Sequence, residues 1–310
     1  MLGIEEIASY LPPLRMSNFE RKDQFAIDDH FIEKKIGFLA VSRMEADDTT
    51  STLCEKAYAR LADKIAIDKN GLQAVIVVTQ NPDTNIPHVS AILHGRLGLP
   101  EQCACFDVSL GCSGYVHGLS IALSFMMANG MSRGLLFTAD PYSKIIDNDD
   151  KSTALLFGDG ATVTLLSDTP TFVPGQFSFG TIGQESAELR VSYDALYMNG
   201  RAIFNFAARH IPRDVKLVLA ANGLEIGDID SFVFHQGSRY IVEAIANSLG
   251  VPKLKVPFGA AEYGNTVSSS VPMILENEML AIDKNLIFAS GFGVGLSWAS
   301  TILTRTRVKS

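Results

Sequence analysis

The chain has 310 residues, 47% of them hydrophobic and 19% charged, which is enough apolar material to bury a large core. Its net charge is −8, with no basic cluster or arginine-rich arm, and this argues against a nucleic-acid-binding protein. No apolar run is long enough to span a bilayer, and the start MLGIEEIASYLPP lacks the charged segment and cleavage site of a secretion signal. We therefore expect a cytoplasmic protein without a membrane partner.

Strand-like runs alternate with helical patterns, which predicts an α/β fold with a mainly parallel sheet. In the first half the order is strand, helix, strand, helix, strand, strand, at residues 74–80, 88–98, 103–110, 114–130, 134–140 and 161–168. The second half repeats it as strand, helix, helix, strand, strand, at residues 231–237, 240–250, 264–282, 285–291 and 295–306. We predict two pseudo-symmetric βαβαβ-type halves, residues 1–168 and 169–310.

The repeated order of elements places three side chains that could take part in catalysis at strand ends or helix starts. Cys112 and Asn265 fall at equivalent helix starts, and His235 falls at the carboxyl end of a strand. Ligands of open α/β sheets bind at such strand ends and helix starts. The three residues are therefore the candidates for a catalytic set.

The stretch FDVSLGCSGYVHGL, residues 106–119, places Cys112 where a strand turns into a helix. A helix N-terminus carries partial positive charge and free N–H groups, so a thiol there is expected to have a lowered pKa and to act as a nucleophile. Gly111 and Gly114 allow the tight turn and the close approach of a substrate. A buried cysteine that only packs at a tight turn remains the alternative.

His235 and Asn265 each have an ordinary structural explanation as well. A histidine after a buried strand is often a core residue, and asparagine is a common N-cap. With Cys112 they form a Cys–His–Asn set, which a cysteine protease also uses. In a protease the histidine activates the cysteine. Here His235 and Asn265 both come from the half of the chain that does not contain Cys112. That origin favours separate tasks, a hydrogen-bond donor or proton carrier and an amide donor to a carbonyl oxygen.

The other three cysteines, Cys54, Cys103 and Cys105, are interpreted as core or surface residues. They form no disulfide framework in a chain of this length, and the C-x-C of Cys103 and Cys105 lacks the second ligand pair of a zinc site. We therefore expect no metal and no bound cofactor.

Six segments are similar to the 3-oxoacyl-[acyl carrier protein] synthase III type of condensing enzyme, a ketoacyl synthase family with a thiolase-like fold. They are FDVSLGCSGYVHGL around Cys112, STALLFGDGA, MNGRAIFNFA, HQGSRYIVEAIA from His235, YGNTVSSSVP around Asn265, and GFGVGLSWAS. They follow the order of the family and cover nearly the whole chain. The resemblance implies a layered α-β-α-β-α architecture and a homodimer formed through the strand before Cys112.

The resemblance also implies an acyltransferase reaction, a decarboxylating Claisen condensation. Cys112 would take an acyl group from a thioester, and His235 and Asn265 would donate hydrogen bonds to the carbonyl of a malonyl thioester. The backbone N–H groups of Cys112 and Val294 would form the oxyanion hole. Phe204 matches a position that lines the acyl channel, with plain core packing as the alternative.

The implied substrates are acyl-coenzyme A and malonyl thioesters of acyl carrier protein, in fatty acid or specialised acyl-chain biosynthesis. Two alternatives remain. One is a non-condensing acyltransferase with an amine or hydroxyl acceptor, and the other is a weakly active subunit of a heteromeric synthase.

The chain departs from the family pattern where coenzyme A is bound. Phe31, Lys35 and Lys151 stand where the family has a tryptophan and two arginines, so stacking on adenine is kept and bidentate contacts are lost. Ser238 replaces the asparagine that follows the His-Gln pair in the family, and Val294 interrupts a run of glycines.

An acidic carrier protein needs a basic docking surface in spite of the net charge of −8. The predicted docking residues are Arg209, Arg213 and Arg239, all in the second half. Ordinary solvated surface is the alternative for each of them.

Overall fold

The structure is a computed structural model of the chain and describes residues 1–306. The strands in this range are β1 (Gly3–Tyr10), β2 (Leu14–Ser17), β3 (Ala40–Arg43), β4 (Ala74–Val78), β5 (Ala104–Val108), β6 (Arg133–Ala139), β7 (Ala161–Ser167), β8 (Phe172–Pro174), β9 (Ser178–Thr181), β10 (Leu189–Ser192), β11 (Ala195–Met198), β12 (Ser231–Phe234), β13 (Leu286–Gly293) and β14 (Ser297–Arg305). The α-helices are α1 (Lys22–Phe25), α2 (Thr50–Lys64), α3 (Val89–Leu97), α4 (Gly114–Ala128), α5 (Lys151–Ala154), α6 (Gly200–Ala221), α7 (Arg239–Leu249) and α8 (Ser270–Leu280). A π-helical segment covers Phe31–Ile36.

One large mixed sheet holds ten of the strands in residues 1–306, in the order β12-β13-β14-β8-β1-β7-β6-β4-β5, with β9 paired to β14. Counted outward from the central pair of β1 and β8, one half runs β1, β7, β6, β4, β5 and the other runs β8, β14, β13, β12. The halves therefore repeat one strand order, as expected for a pseudo-symmetric fold. The division of the chain at residues 168 and 169 stays a prediction.

The expectation of a mainly parallel sheet is wrong. Parallel pairing joins β4 to β5, β4 to β6 and β12 to β13. The pairs β1–β7, β6–β7, β13–β14, β1–β8 and β8–β14 are antiparallel. The reason is clearest between β13 and β14, where residues 294–296 turn the chain straight back, so no crossover helix intervenes and the pair must be antiparallel.

The main helices lie in three layers around the sheet. α2 and α3 pack on the outer side of the first half, α6 and α7 on the outer side of the second, and α4 and α8 between the two halves. α4 is apolar nearly all round, whereas α7 keeps a polar face toward solvent. The α-β-α-β-α architecture predicted from the sequence is confirmed.

Every strand and helix predicted above is present, with ends that move by a few residues in most cases. The largest shift is at α8, which begins only at Ser270, behind a 3-10 turn at Val267–Ser269. Helix α3 ends as predicted at Gly98, whose left-handed φ of 62° closes the helix.

Two elements that cover the site were not predicted, α6 and the hairpin of β10 and β11. Pro212 lies inside α6, and a proline normally argues against a helix interior. The hairpin turns at Tyr193 and Asp194, which both have positive φ, and its inner residues Leu189 and Met198 line the cavity described next.

Candidate active site

A cavity of about 180 Å³ opens between the π-helical segment, the starts of α6 and α7, and the turn before α4. Its walls are mostly apolar: Ile36, Leu156, Phe157, Leu189, Met198, Ile203, Phe204, Ile241 and Phe292. Three polar side chains line its inner end, Cys112, His235 and Asn265, each only 3–4% exposed. A mostly apolar cavity with a few convergent polar groups is the usual form of a ligand site. The structure thus brings together the three residues singled out from the sequence.

Cys112 lies in the tight turn between β5 and α4. Gly111 leaves room for its neighbours there, because a Cβ at this position would lie 2.5 Å from Oε1 of Gln80 and 2.7 Å from Cγ1 of Val294, and these side chains would have to shift. Glycines of β13 approach from the other half: a Cβ at Gly291 would lie 2.6 Å from the carbonyl oxygen of Cys112, and one at Gly293 would lie 2.7 Å from its Sγ. The position of the sulfur is therefore set by both halves of the molecule.

Burial raises the pKa of the Cys112 thiol to about 12, because the thiolate would lose its hydration. The backbone N–H groups of Val294 and Cys112 favour the thiolate and act in the opposite direction, whereas the charge of Asp140 adds to the rise of the pKa. The expectation of a lowered pKa is wrong for the free protein, since desolvation outweighs the favourable backbone groups. The resting thiol is protonated at neutral pH.

One of the two N–H groups, that of Val294, belongs to a well-supported loop between β13 and β14. Ser297 fixes it, because Oγ of Ser297 donates to the carbonyl of Val294 at 2.7 Å and lies 2.9 Å from Oγ of Ser113. Val294 also packs on the turn before α4, since a Cβ on Gly111 would meet its Cγ1 at 2.7 Å. A negative oxygen formed beside the sulfur of Cys112 would have two donors close by.

His235 follows β12 directly, and its backbone N–H donates to the carbonyl of Ser290 at 2.9 Å. The ring lies edge-on to Phe292, with ring centroids 5.6 Å apart. Burial lowers the pKa of His235 to about 3, so the imidazole is neutral at pH 7. Its Nδ1 is buried without a hydrogen-bond partner in residues 1–306. A histidine that served only the core would have this atom paired.

Asn265 lies in an irregular segment, and the first half fixes its backbone. Its N–H donates to the carbonyl of Leu156 at 2.8 Å, and its carbonyl accepts the N–H of Gly158 at 2.9 Å. Oδ1 accepts the N–H of Val267 at 2.9 Å, so the Nδ2 amide remains as the donor beside the cavity. The expected equivalence with Cys112 needs correction, because the 3-10 turn after Thr266 separates Asn265 from α8.

The residues predicted to bind substrate lie in two groups, only one of which lines the cavity. Nζ of Lys151 is 5.0 Å from the ring centroid of Phe31, so a lysine contacts the ring that was expected to stack on adenine. Nζ of Lys35 is 4.5 Å from the ring centroid of Tyr240, and Tyr240 stacks on Phe204 with centroids 5.0 Å apart. Lys35, Tyr240 and Phe204 line the cavity, whereas Phe31 and Lys151 lie outside its lining.

The three arginines predicted to dock a carrier protein are well separated. Arg239 lies next to Tyr240 in the chain, but its side chain lines a separate surface depression with Glu243 and Lys253, and its guanidinium is 4.4 Å from the ring centroid of Phe258. Arg209 lines a separate surface depression together with two glutamates. Arg213 is exposed on α6 and, at 1.5 Å per residue, lies about 20 Å along the helix from Gly200 at the cavity.

The other cysteines are free thiols: Cys54 and Cys103 are buried and Cys105 is half-buried. A hydrogen bond from Cys103 lowers the pKa of Cys105 to about 7. Within residues 1–306, no group of three or more His, Cys, Asp or Glu side chains is placed to hold a metal ion. In the same range no helix combines the length and the apolar character needed to cross a membrane.

The sequence FGDG predicts a structural glycine turn with an acidic anchor at Asp159, but the contact of this turn with Asn265 and the role of Ser297 were not predicted. Gly158 holds Asn265, and Asp159 anchors the same turn by accepting the N–H of Met44 at 2.8 Å. Ser297 holds the loop of Val294. Their signal in the sequence is the pair of small-residue segments FGDG and GFGVGLS, where side chains are small because backbones approach closely.

Comparison with known proteins decides the family. The profile described as 3-Oxoacyl-[acyl-carrier-protein (ACP)] synthase III matches residues 106–182, and the profile of its C-terminal part matches residues 219–305. The beta-ketoacyl-[acyl-carrier-protein] synthase III of Streptococcus sanguinis is 32% identical over 320 residues, covering 97% of this chain and 98% of that protein. The chain belongs to the 3-oxoacyl-[acyl-carrier-protein] synthase III family.

Solved structures support the same assignment. The beta-ketoacyl-[acyl carrier protein] synthase III of Thermus thermophilus matches with a TM-score of 0.91 at 29% identity, covering 99% of this chain and 100% of that one. The priming beta-ketosynthase of the R1128 polyketide pathway matches with a TM-score of 0.89 at 27% identity, covering 98% and 96%. The fold is thiolase-like, and the chain is a condensing acyltransferase of the ketoacyl synthase III type. Neither alternative raised from the sequence is favoured.

Proposed function

We propose that Cys112 carries the acyl group in the condensing reaction and that His235 and Asn265 hold the malonyl thioester. The observation that carries the proposal is the convergence of the three side chains at the inner end of one apolar cavity, with two backbone N–H groups at the sulfur. An apolar cavity suits an acyl chain, and donors at its inner end suit a developing negative oxygen.

In the first half-reaction, the sulfur of Cys112 attacks the carbonyl carbon of an acyl thioester. The substrate C–S bond breaks, a C–S bond to Cys112 forms, and the S–H proton leaves with the departing thiol. The N–H groups of Val294 and Cys112 stabilise the tetrahedral oxyanion. Because the resting thiol is protonated, its proton is lost only as the attack takes place.

In the second half-reaction, a malonyl thioester takes the place of the departed thiol. The bond to its carboxylate breaks, carbon dioxide leaves, and the electron pair forms an enolate whose oxygen accepts hydrogen bonds from His235 and Asn265. The enolate carbon bonds to the acyl carbon, the thiolate of Cys112 leaves, and it takes a proton from solvent. A neutral imidazole and an amide suit this task, and His235 is neutral at pH 7.

A single-turnover experiment tests the proposal. The protein is loaded from an acyl-coenzyme A, excess donor is removed, and a malonyl thioester of acyl carrier protein is added. We expect the acyl group on Cys112 to disappear as equal amounts of carbon dioxide and 3-oxoacyl thioester appear. Transfer of the acyl group to an amine or hydroxyl without carbon dioxide would contradict condensation and support the non-condensing alternative.

For the substrate arm, we propose that Lys35 and Lys151 pair with phosphates at the outer end of coenzyme A or of the pantetheine arm. Both ammonium groups lie on exposed side chains, that of Lys35 at the cavity and that of Lys151 against Phe31, outside the cavity lining. With Lys151 against its ring, Phe31 contributes packing to this contact rather than an open stacking face.

For the carrier protein, we propose docking around Arg239, with Arg209 and Arg213 as outer contacts. Charge reversal in Arg239→Glu is expected to raise the KM for carrier-bound thioesters about tenfold, because oppositely charged surfaces steer association. Arg213→Glu should have a smaller effect because it lies farther from the mouth. Arg60→Glu, at an exposed arginine of α2, is the control with the same change of charge. Equal KM values for the Arg239 and Arg60 variants would contradict the docking site.

For the assembly, we propose a homodimer joined through β5. This strand is last in the sheet and pairs only with β4 within residues 1–306, so its outer edge is available to a second copy. Sedimentation should give twice the 33.6 kDa of one chain, and a single-chain mass would contradict the dimer. The cytoplasmic location, the lack of a nucleic-acid partner and the lack of a bound cofactor stay predictions.

A further inference from the structure

Three side chains from distant parts of the chain meet at the mouth of the cavity, and we call them the mouth stack: Lys35, Tyr240 and Phe204. The rings of Tyr240 and Phe204 are stacked, with centroids 5.0 Å apart and planes inclined by 24°. Nζ of Lys35 lies 4.5 Å from the centroid of Tyr240. The tyrosine is therefore held by two contacts, an aromatic stack and a cation–π contact.

The backbone brings these side chains together. Lys35 comes from the π-helical segment, Phe204 from the first turns of α6, and Tyr240 from the first turn of α7. Gly37, with φ of 77°, closes the π-helical segment, and a Cβ there would lie 2.3 Å from Cβ of Arg239. The start of α7 is thus seated directly on the end of this segment.

The mouth stack lies between solvent and the sulfur. Tyr240 is 46% exposed, whereas Cys112 at the inner end of the same cavity is 3% exposed. A group that reaches Cys112 from solvent through this mouth passes the ring of Tyr240. Moving the ring aside breaks its contacts with Phe204 and Lys35, which opposes wide groups more than narrow ones.

We propose that Tyr240 is a specificity-determining residue that sets the width of the passage to Cys112. A slim, unbranched thioester arm passes beside the ring, and substituents as wide as a fused aromatic ring system are held back. The identity of the arm rests on the proposed function, but the width of the passage does not.

Maleimides of different width test the proposal, since they share one reactive group. N-Ethylmaleimide and N-(1-pyrenyl)maleimide are reacted separately with the full-length protein. Labelling is assigned to Cys112 from peptide fragment ions, which separate it from the nearby Cys103 and Cys105. Tyr240→Ala is expected to raise the rate with the pyrenyl reagent about tenfold, the size of the stacking and cation–π contacts that no longer have to break. The rate with N-ethylmaleimide should stay nearly the same.

Three further variants complete the test. Tyr240→Phe keeps the ring and should keep the selection against the wide reagent. Lys35→Ala removes one of the two contacts and should relax the selection partly. Tyr193→Ala removes a fully exposed tyrosine at the tip of the β10–β11 hairpin, outside the cavity lining, and should have no effect. Near-ultraviolet circular dichroism checks that each variant is folded.

An unchanged ratio of the two rates in Tyr240→Ala, or an equal rise with both reagents, would overturn the proposal. A shift of the ratio in Tyr193→Ala as large as that in Tyr240→Ala would overturn it as well. The proposed function can fail independently of this proposal. If no thioester acylates Cys112 but the ratio of the two maleimide rates still changes in the Tyr240 variants, Tyr240 controls the width of the passage and Cys112 does not carry an acyl group.

Discussion

The two halves of the molecule share one strand order but deliver their functional groups differently. In the first half, β5 leads through a tight turn to Cys112 and straight into α4. In the second half, residues 256–264 form no strand that corresponds to β5. Asn265 follows this irregular segment, and its backbone is bonded to Leu156 and Gly158 of the first half. The lack of the outer strand leaves Asn265 free to be positioned across the boundary, beside the nucleophile of the other half.

The functional side chains of the two halves have the same charge state. Burial raises the pKa of Cys112 to about 12 and lowers that of His235 to about 3, so both side chains are neutral at pH 7. A cysteine protease relies on an ionised pair of thiolate and imidazolium, and burial opposes both members of such a pair here. The cavity therefore favours chemistry in which charge develops on the substrate and is met by neutral donors.

The largest effect is expected for the nucleophile supplied by the first half. Cys112→Ala should reduce turnover about a thousandfold or more, because no covalent intermediate can form. The matched control is Cys105→Ala, at the thiol whose pKa is lowered to about 7. Steady-state rates measure both variants. Loss of activity in the Cys105 variant but not in the Cys112 variant would reverse the assignment.

The donors of the second half should separate the two half-reactions. In Asn265→Ala and in His235→Ala, carbon dioxide release is expected to fall about a hundredfold or more, as when an oxyanion donor is removed. Acylation of Cys112 should continue, since its oxyanion donors are the backbone groups of Val294 and Cys112. Carbon dioxide release and adduct mass are measured on the same samples. If both variants lose acylation in step with decarboxylation, the division of labour is wrong.

The pH dependence of Cys112 alkylation tests the claim that the thiol is neutral in the free protein. Its pKa is raised, so the protonated form dominates at every pH below about 12. Alkylation of Cys112 by iodoacetamide, separated from that of Cys103 and Cys105 by peptide fragment ions, should rise about tenfold per pH unit between pH 7 and 10, because the thiolate fraction rises in that proportion. If the alkylation rate reached a plateau below pH 8, the pKa of Cys112 would be lowered, and the helix start would have a larger effect on it than burial.

A smaller effect is expected at the contact between the halves. A Cβ at Gly158 would lie 1.9 Å from the carbonyl oxygen of Tyr263, so Gly158→Ala must push the segment of Asn265 aside. We expect a loss of ~2 kcal/mol in the free energy of unfolding and a slower release of carbon dioxide. The control is Gly227→Ala, where an added Cβ meets nothing within 4 Å. Chemical denaturation measures the free energy of unfolding of both variants. Equal values would contradict a stabilising contact between Gly158 and the segment of Asn265.

The local parts of this account were predictable, and the long-range parts were not. Strands such as β4 and β12 are continuous apolar runs, and Cys112 stands at a strand-to-helix turn marked by glycines. The pKa of Cys112 depends on burial by Gly291 and Gly293, which lie far away in sequence. Local patterns contain no information of that kind, so the helix start alone suggested the wrong direction.

Local sequence patterns also do not show the long-range contacts of the second half or those at the mouth of the cavity. The backbone bonds of Asn265 run to Leu156 and Gly158, more than a hundred residues earlier in the chain. Lys35, Phe204 and Tyr240 come from three separate segments, and the packing of α6 on α7 and of α7 on the π-helical segment brings them together.

The central claim is that the first half carries the acyl group on Cys112 while the second half supplies the donors. Peptide mass mapping after incubation with a panel of acyl thioesters tests it most directly. The account predicts an added mass equal to the acyl group on the Cys112 peptide, present in Asn265→Ala and absent in Cys112→Ala. An acyl group found on another residue, or labelling that persists in Cys112→Ala, would contradict it.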